Sequence, residues 1–321
     1  MDTQELNQLW KTYQLKVTDE IAKSPEVLFC NGSAIGTLGN FSASTGKAKS
    51  KKTFNVSAIL AATLTNGEIL RYIAEFPDDK RTILYFDTEQ SPHHCQRVMK
   101  RALQLAGLPL DSHPKNLIFS QLRALTPEIR LELIDNAIAC TPNVGLVIID
   151  GIRDLMFDIN NAIESSRLIG KLMEWTDKYQ IHIHTVLHLN KSDDNVRGHV
   201  GTELNNKAET VLQVCKSSTD SEVTEVSASC IRSMDFPPFA FIVNEAGLPE
   251  IATDYTISKQ TKVQTFSYSE LTPEQHRQAL EMAFSAGAIK GCQNCEDSIK
   301  RAYAACGFPY GVHLTFEKGP R

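Results

Sequence analysis

The stretch GKAKSKKT (46–53) differs by one residue from the phosphate-binding loop pattern G-x-x-x-x-G-K-[ST]. Gly46, Lys52 and Thr53 fall on the pattern, and Lys51 stands where the second glycine belongs. Glycine at that position allows close backbone approach to phosphate and unusual dihedrals, whereas lysine brings a Cβ and a long side chain. Against that, Lys47, Lys49, Lys51 and Lys52 concentrate positive charge where a polyphosphate would sit. Lysine runs are also common as solvated basic turns, so the flanking sequence has to decide.

The flanks place the loop between a strand and a helix. SAIGTLGNFSAS (33–44) is strand material, and a helix starts near Thr53, with Phe54, Ala58, Leu60, Ala61 and Leu64 on an apolar face and Asn66-Gly67 ending it. There, backbone N–H groups and the positive end of the helix dipole point toward an anion. The expected cradle is Gly46, Lys47, Ala48, Lys49, Ser50, Lys51, Lys52, Thr53 and Phe54. Lys52 would reach the β and γ phosphates, and the Thr53 hydroxyl would ligate Mg²⁺.

Beyond the loop, apolar runs alternate with amphipathic ones. TILYFD (82–87) reads as a buried strand, and Pro92 opens a helix. NLIFSQ (116–121) follows, then the helix TPEIRLELIDNAIAC (126–140), with Thr126 as N-cap and Pro127 at its first position. GLVIID (145–150), a helix through ESSRLIGKLMEWTDKY (164–179) and the strand IHIHTVLHL (181–189) complete the rhythm. Such alternation with near-continuous apolar strands means a parallel sheet covered on both faces. From Glu209, ETVLQVCK, EVTEVSASCIR and FAFIVN read most simply as antiparallel strands extending that sheet. The organisation expected is an N-terminal helical segment (1–25, helical over roughly 3–23), a main α/β domain (26–250) and a small C-terminal helical module (251–321).

Three further stretches carry candidate chemistry. GLVIIDGIRDL (145–155) puts Asp150 at the carboxyl end of a strand, where it would face a metal beside the loop; the plainer reading is a turn cap. LYFDTEQS (84–91) offers Glu89, with Asp87 second, to orient and deprotonate an attacking water; the plainer reading is a surface acidic turn. In HTVLHLNK (184–191), His188 or Asn190 would sense a γ-phosphate, while Lys191 and Arg197 would reach a nucleotide or a DNA backbone. His182, His184 and His188 alternate along one strand, which fits plain packing without a metal.

These stretches together, with RGHVGTELNNKAETVL (197–212), resemble the RecA-like ATPases of the RepA and DnaB helicase type, especially divergent ATPases of plasmids and other mobile elements. The resemblance covers roughly 35–243. It implies an α/β RecA-like P-loop core with a mostly parallel sheet and an antiparallel extension. It makes Lys52 and Thr53 the Walker A residues, Glu89 the catalytic glutamate, Asp150 the Walker B aspartate that holds Mg²⁺ with Thr53, and Arg197 an arginine finger acting in trans. Lys47 matches the extra lysine of the deviant Walker loops in MinD-like ATPases. The function implied is ATP binding and hydrolysis coupled to work on DNA, with single-stranded DNA met by local basic loops as the expected partner, in replication or mobilisation, with a homo-oligomer, a hexameric ring, as the implied state and a replication or mobilisation protein as a further partner. The alternative is a nucleotide-dependent switch or loader that regulates assembly on DNA or a partner; the unusual Lys51 favours it. A small-molecule kinase is a third option, against which stands the lack of an arginine-rich lid segment.

Composition bounds the rest. With 321 residues and 42% hydrophobic content the chain can bury a full-sized core, and a net charge of −5 excludes coating of nucleic acid by bulk electrostatics. The polar N-terminus lacks the apolar core of a signal peptide and no run approaches a membrane span, so a cytoplasmic protein is expected. Eight cysteines are scattered, Cys30, Cys140 and Cys215 in apolar contexts that suit reduced thiols. Cys292, Cys295, Cys306 and His313 would suffice for a zinc site, but without a second C-x-x-C a helix start with incidental cysteines is preferred. In the C-terminal module, Thr272 begins a T-P-E-Q helix start, IKRAYAACG reads as a second helix and GVHLTFEK as a short strand. The set reads either as a winged-helix-like module or as a packing appendage.

Overall fold

A computed structural model describes residues 1–189, 198–253, 255–257 and 272–284. The chain divides into two compact units, Met1–Ile257 and Ser258–Arg321.

In the first unit the helix α1 (Thr3–Thr12) starts from Asp2, whose carboxylate accepts from the amides of Gln4 and Glu5 while Glu5 reaches back to the Asp2 amide, a complete capping box. It stops well short of the expected residue 23. None of its residues is buried, so no tertiary packing extends it through the β-branched Val17 and Thr18. Four strands then frame a small antiparallel sheet in the order β2-β1-β5-β4: β1 (Glu26–Cys30), β2 (Ser33–Thr37), β4 (Glu68–Ile69) and β5 (Tyr72–Ala74). β3 (Phe41–Gly46) and α2 (Lys52–Thr65) flank the glycine-lysine loop. The Asn66-Gly67 stop acts as expected, with Asn66 left-handed at φ 49° and its side chain bonded to both the amide and the carbonyl of Phe76.

The alternation continues through β6 (Thr82–Asp87), α3 (Pro92–Leu105), β7 (Leu117–Gln121), α4 (Pro127–Cys140), β8 (Val144–Asp150), α5 (Ala162–Tyr179), β9 (His182–His188), α6 (Gly198–Lys207), β10 (Thr210–Lys216), β11 (Thr224–Ile231), β12 (Phe239–Val243) and β13 (Pro249–Ile251). Thr126 precedes α4 as its N-cap but makes no side-chain capping bond. The large sheet has nine strands in the order β13-β12-β11-β10-β3-β9-β8-β6-β7. It is parallel from β7 through β10, and β11, β12 and β13 add on in antiparallel pairs. The mostly parallel α/β fold with an antiparallel extension is therefore as expected, with one correction. β10, read as the first antiparallel strand, runs parallel to β3, pairing Thr210 with Ser42 and Gln213 with Thr45. The helix α6 carries the chain back across the sheet before β10, as a parallel connection requires.

Both faces are covered because successive strand residues point to opposite sides. Ile83, Tyr85, Leu146, Ile148, Leu212 and Val214 enter a core with α2, α3 and the small sheet. Leu84, Phe86, Val147, Ile149 and Val211 enter the other, with α4, α5 and α6. Trp175 of α5 is completely buried in the second. Each such fully buried side chain contributes roughly 1.5–3 kcal/mol. Two layers of helix thus hold a rigid sheet, and the ends of its central strands are fixed in space.

The second unit is described only through α7 (Pro273–Phe284). Its start is the expected one: the Gln275 amide donates to Thr272 Oγ1, and the Gln275 Oε1 accepts from the Thr272 amide at 2.9 Å. The remainder of the expected module, including the second helix, the short strand, Cys292, Cys295, Cys306 and His313, lies outside the described residues. Among the described residues no helix is long and apolar enough to cross a membrane.

Candidate functional site

The carboxyl ends of β3, β9, β8 and β6 lie side by side, which brings the glycine-lysine loop, His188, Asp150 and the turn carrying Glu89 to one edge of the sheet. A cavity of about 430 Å³ opens there, lined by Lys49, Ser50, Lys51, Lys52, Thr53 and Phe54 from the loop and α2, by His188 of β9, and by residues of α3 and its approach.

The loop is shaped by three backbone features. Gly46 has no room for a side chain, since a Cβ there would stand 2.2 Å from the Val214 carbonyl oxygen and 2.5 Å from Ser50 Oγ. Lys49 and Lys51 are left-handed, at φ 63° and 64°. A lysine at such a position costs roughly 1–2 kcal/mol relative to its ordinary conformation. So Lys51 adopts the backbone that a glycine would take at that place. Lys52 is buried, 5% exposed, and its ammonium donates to the carbonyls of Gly46 at 2.7 Å and Lys47 at 2.8 Å. Burial lowers its pKa to about 8, with the nearby carboxylates of Asp150 and Glu89 acting in the opposite sense. The buried Ser50 hydroxyl has no hydrogen-bond partner. A buried cation hydrogen-bonded to neutral carbonyls, a hydroxyl without a partner among the described residues and a glycine cradle suit a polyphosphate that supplies charge and acceptors.

Asp150, the last residue of β8, is buried and accepts from the Tyr85 hydroxyl at 3.0 Å. Burial above all, then the charges of Asp87 and Glu89, pushes its pKa up to about 7. Thr88 ties the ends of β6 and β8 together, its hydroxyl accepting from the Gly151 amide at 2.9 Å. A carboxylate that costs so much to keep charged, at the same sheet edge as the helix that starts with Thr53, has the donor chemistry of a Mg²⁺ site.

The two acidic candidates after β6 differ in their surroundings. Asp87 is fully buried, and its oxygens accept from the Glu89 amide and from the amide and side chain of Gln90, which engages it in its own turn. Glu89 is exposed, with a carboxylate oxygen 3.5 Å from Nε2 of His188. Hydrogen bonding to His188 lowers its pKa, against some opposing desolvation. His182 and His184, by contrast, point into the core and bond to Ser42 and Ser44.

Sequence reading did not anticipate the far wall. Gln90, His94, Arg97, Val98 and Arg101 line the cavity, and the Arg101 guanidinium lies 3.7 Å above the Phe54 ring. The signal available was the i, i+4 basic pair Arg97 and Arg101 on the helix following the Glu89 turn. Asn190, Lys191 and Arg197 lie outside the described residues.

A family model described as "AAA domain" matches residues 20–194. No curated protein matches. Among solved structures, the crystal structure of the RadB recombinase aligns at 16% sequence identity with a TM-score of 0.46, over 67% of this chain and 91% of that one.

Proposed function

The chain belongs to the AAA domain family, and from that premise we propose that it binds a nucleoside triphosphate with Mg²⁺ and hydrolyses it to drive work on DNA. The observation that carries this reading is the convergence of Lys52, Asp150, Glu89 and His188 from the loop and three neighbouring strand ends on one side of the sheet. Asp150, Glu89 and the buried Lys52 shift one another's pKa at the open edge of the sheet, which is the pattern expected of a functional site.

In this reading Gly46 to Phe54 cradle the phosphates, Lys52 neutralises them, and Thr53 and Asp150 hold the metal. Bound Mg²⁺ supplies a positive charge that stabilises the transferring phosphoryl group. Glu89 holds the attacking water and takes its proton, and His188 keeps the Glu89 carboxylate ionised and oriented. Arg97 and Arg101 add positive charge from α3. Asn190, Lys191 and Arg197, close to the sheet edge in sequence, are assigned to γ-phosphate sensing and to a neighbouring subunit's site on the family resemblance alone. The finer assignments of the same kind are a RepA- or DnaB-like helicase role, a hexameric ring, single-stranded DNA as partner and a cytoplasmic location.

The test is ATP turnover by the purified chain and by Lys52→Ala and Glu89→Gln, with and without single-stranded DNA. Turnover stimulated by DNA and lost in both variants supports a DNA-dependent motor or loader. A second reading, a nucleotide-dependent switch, is favoured by the moored position of Lys51; binding of ATP without turnover in any condition would select it. Absence of binding would overturn both.

A further inference from the structure

Two consecutive lysines of the loop point in opposite directions. Lys52 turns inward onto the loop carbonyls, whereas Lys51 extends outward, its side chain only 15% exposed, and donates from Nζ to the main-chain carbonyl of Glu222 at 2.7 Å. The Glu222 carboxylate adds a longer ion pair at 3.9 Å. Glu222 belongs to the turn between β10 and β11, distant in sequence from the loop.

That turn is internally braced. The Ser217 amide donates to the Val223 carbonyl, and Ser217 Oγ accepts from the amides of Thr219 and Asp220. The Ser217 hydroxyl also meets the Tyr255 hydroxyl at 2.6 Å, and Tyr255 in turn donates to the Glu225 carboxylate at 2.5 Å. A turn closed by so many local bonds moves as a unit rather than fraying.

Lys51 is moored at both ends. Its carbonyl accepts from the amides of Phe54 and Asn55, the first bonds of α2, and its ammonium is fixed to the turn. The carbonyls of Gly46 and Lys47 take two of the three donors of the Lys52 ammonium, so a phosphate entering the loop meets the third donor or displaces a carbonyl. A shift of the loop would reach Glu222 through the Lys51 side chain. A glycine at this position would permit the same backbone and transmit nothing.

Resting on the reading of the cavity as a polyphosphate site, we propose that Lys51 is a positioning residue that fastens the P-loop to the β10–β11 turn, so that the turn holds the loop in its binding shape and reports on nucleotide binding. The chain has exchanged the flexibility of the usual glycine for a mechanical link. The braced turn and Tyr255 thereby become part of the nucleotide response.

Hydrogen exchange of the full chain, followed at residues 217–223 with and without a slowly hydrolysed ATP analogue and Mg²⁺, tests this directly, with the affinity measured alongside. The wild type is expected to change its exchange in this turn on binding. Lys51→Met is expected to bind about threefold to tenfold more weakly, the scale of one typical hydrogen bond, and to leave the turn unresponsive. Lys51→Arg, which can still donate to the Glu222 carbonyl, should restore both. A turn that does not respond in the bound wild type, or responds equally in bound Lys51→Met, overturns the link while leaving the site intact. A wild type that binds no nucleotide overturns the link together with the reading it rests on.

Discussion

Nε2 of His188 lies 3.5 Å from a carboxylate oxygen of Glu89, which joins the end of β9 to the turn after β6 across the intervening end of β8. The contact lowers the pKa of Glu89 through a hydrogen bond and then through the imidazole charge. His188→Ala should therefore shift the acid limb of the turnover profile toward higher pH, because Glu89 would ionise later. Glu89→Gln should reduce turnover by about 10²–10⁴-fold and leave nucleotide binding nearly unchanged. A pH–rate profile of both variants decides this; equal loss of binding and turnover in Glu89→Gln would mean that Glu89 holds the ligand rather than the water.

Lys52 leads to a second pH dependence. Its pKa, lowered by burial to about 8, means that the ammonium begins to lose its proton in mildly alkaline solution. Affinity for a triphosphate should fall between about pH 7 and pH 9, since binding needs the cation and must restore the proton. Titration of a fluorescent ATP analogue across that range measures it. In Lys52→Ala, binding should be weaker by about tenfold or more, and the dependence in this window should vanish.

How much of this was legible in the sequence follows from how local each feature is. The strands ending in Asp87 and Asp150 are apolar runs with sharp boundaries and the loop before α2 carries a fixed glycine-lysine spacing, so their positions could be read directly. The small sheet was missed because two of its strands, Glu68–Ile69 and Tyr72–Ala74, are too short to carry a period. The direction of β10 was misread because the alternation in ETVLQVCK is the same for either orientation, and only α6 decides it. Arg97, Arg101 and His94 were missed because a helix pattern says which face is buried, not which cavity its edge overlooks. Lys51 could be identified as a departure, but its partner Glu222 belongs to the fold and not to the motif.

The core carries a testable chain of polar groups. The Thr37 carbonyl can only accept, so His182 Nδ1 carries the proton, and Nε2 then accepts from Ser42. Ser42 accepts from His184 Nδ1, His184 Nε2 accepts from Ser44, and Ser44 accepts from Asn55, whose Oδ1 accepts from Tyr72. Each donor finds one acceptor, so both rings are neutral Nδ1–H tautomers. Burial lowers the pKa of both, that of His184 to about 3, against an ordinary 6.5. The unfolded chain takes up these protons below 6.5 and the folded chain does not, so stability is fully present above that value and falls as the pH drops toward 3. Denaturant melts between about pH 7 and pH 4 should show a flatter decline in His184→Gln, by about 1.4 kcal/mol per pH unit for one proton. An unchanged slope would mean that the ring titrates normally.

Glycines give the last prediction, with opposite signs at two positions. At Gly46 an added Cβ meets the Val214 carbonyl at 2.2 Å, and because that atom is backbone of the neighbouring β10 it cannot step aside. Gly46→Ala should then cost about 1–3 kcal/mol and push the loop out of register with the cavity, so nucleotide affinity falls with stability. Gly170 sits within α5 with nothing within 4 Å of an added Cβ. Gly170→Ala removes a flexible residue from a helix interior and should stabilise by about 0.5–1 kcal/mol, raising the melting temperature by about 1–4 °C. Calorimetry of the two variants separates the effects: a neutral Gly46→Ala would show that β10 yields, and a destabilised Gly170→Ala would show that α5 needs its glycine for a contact other than its own helix.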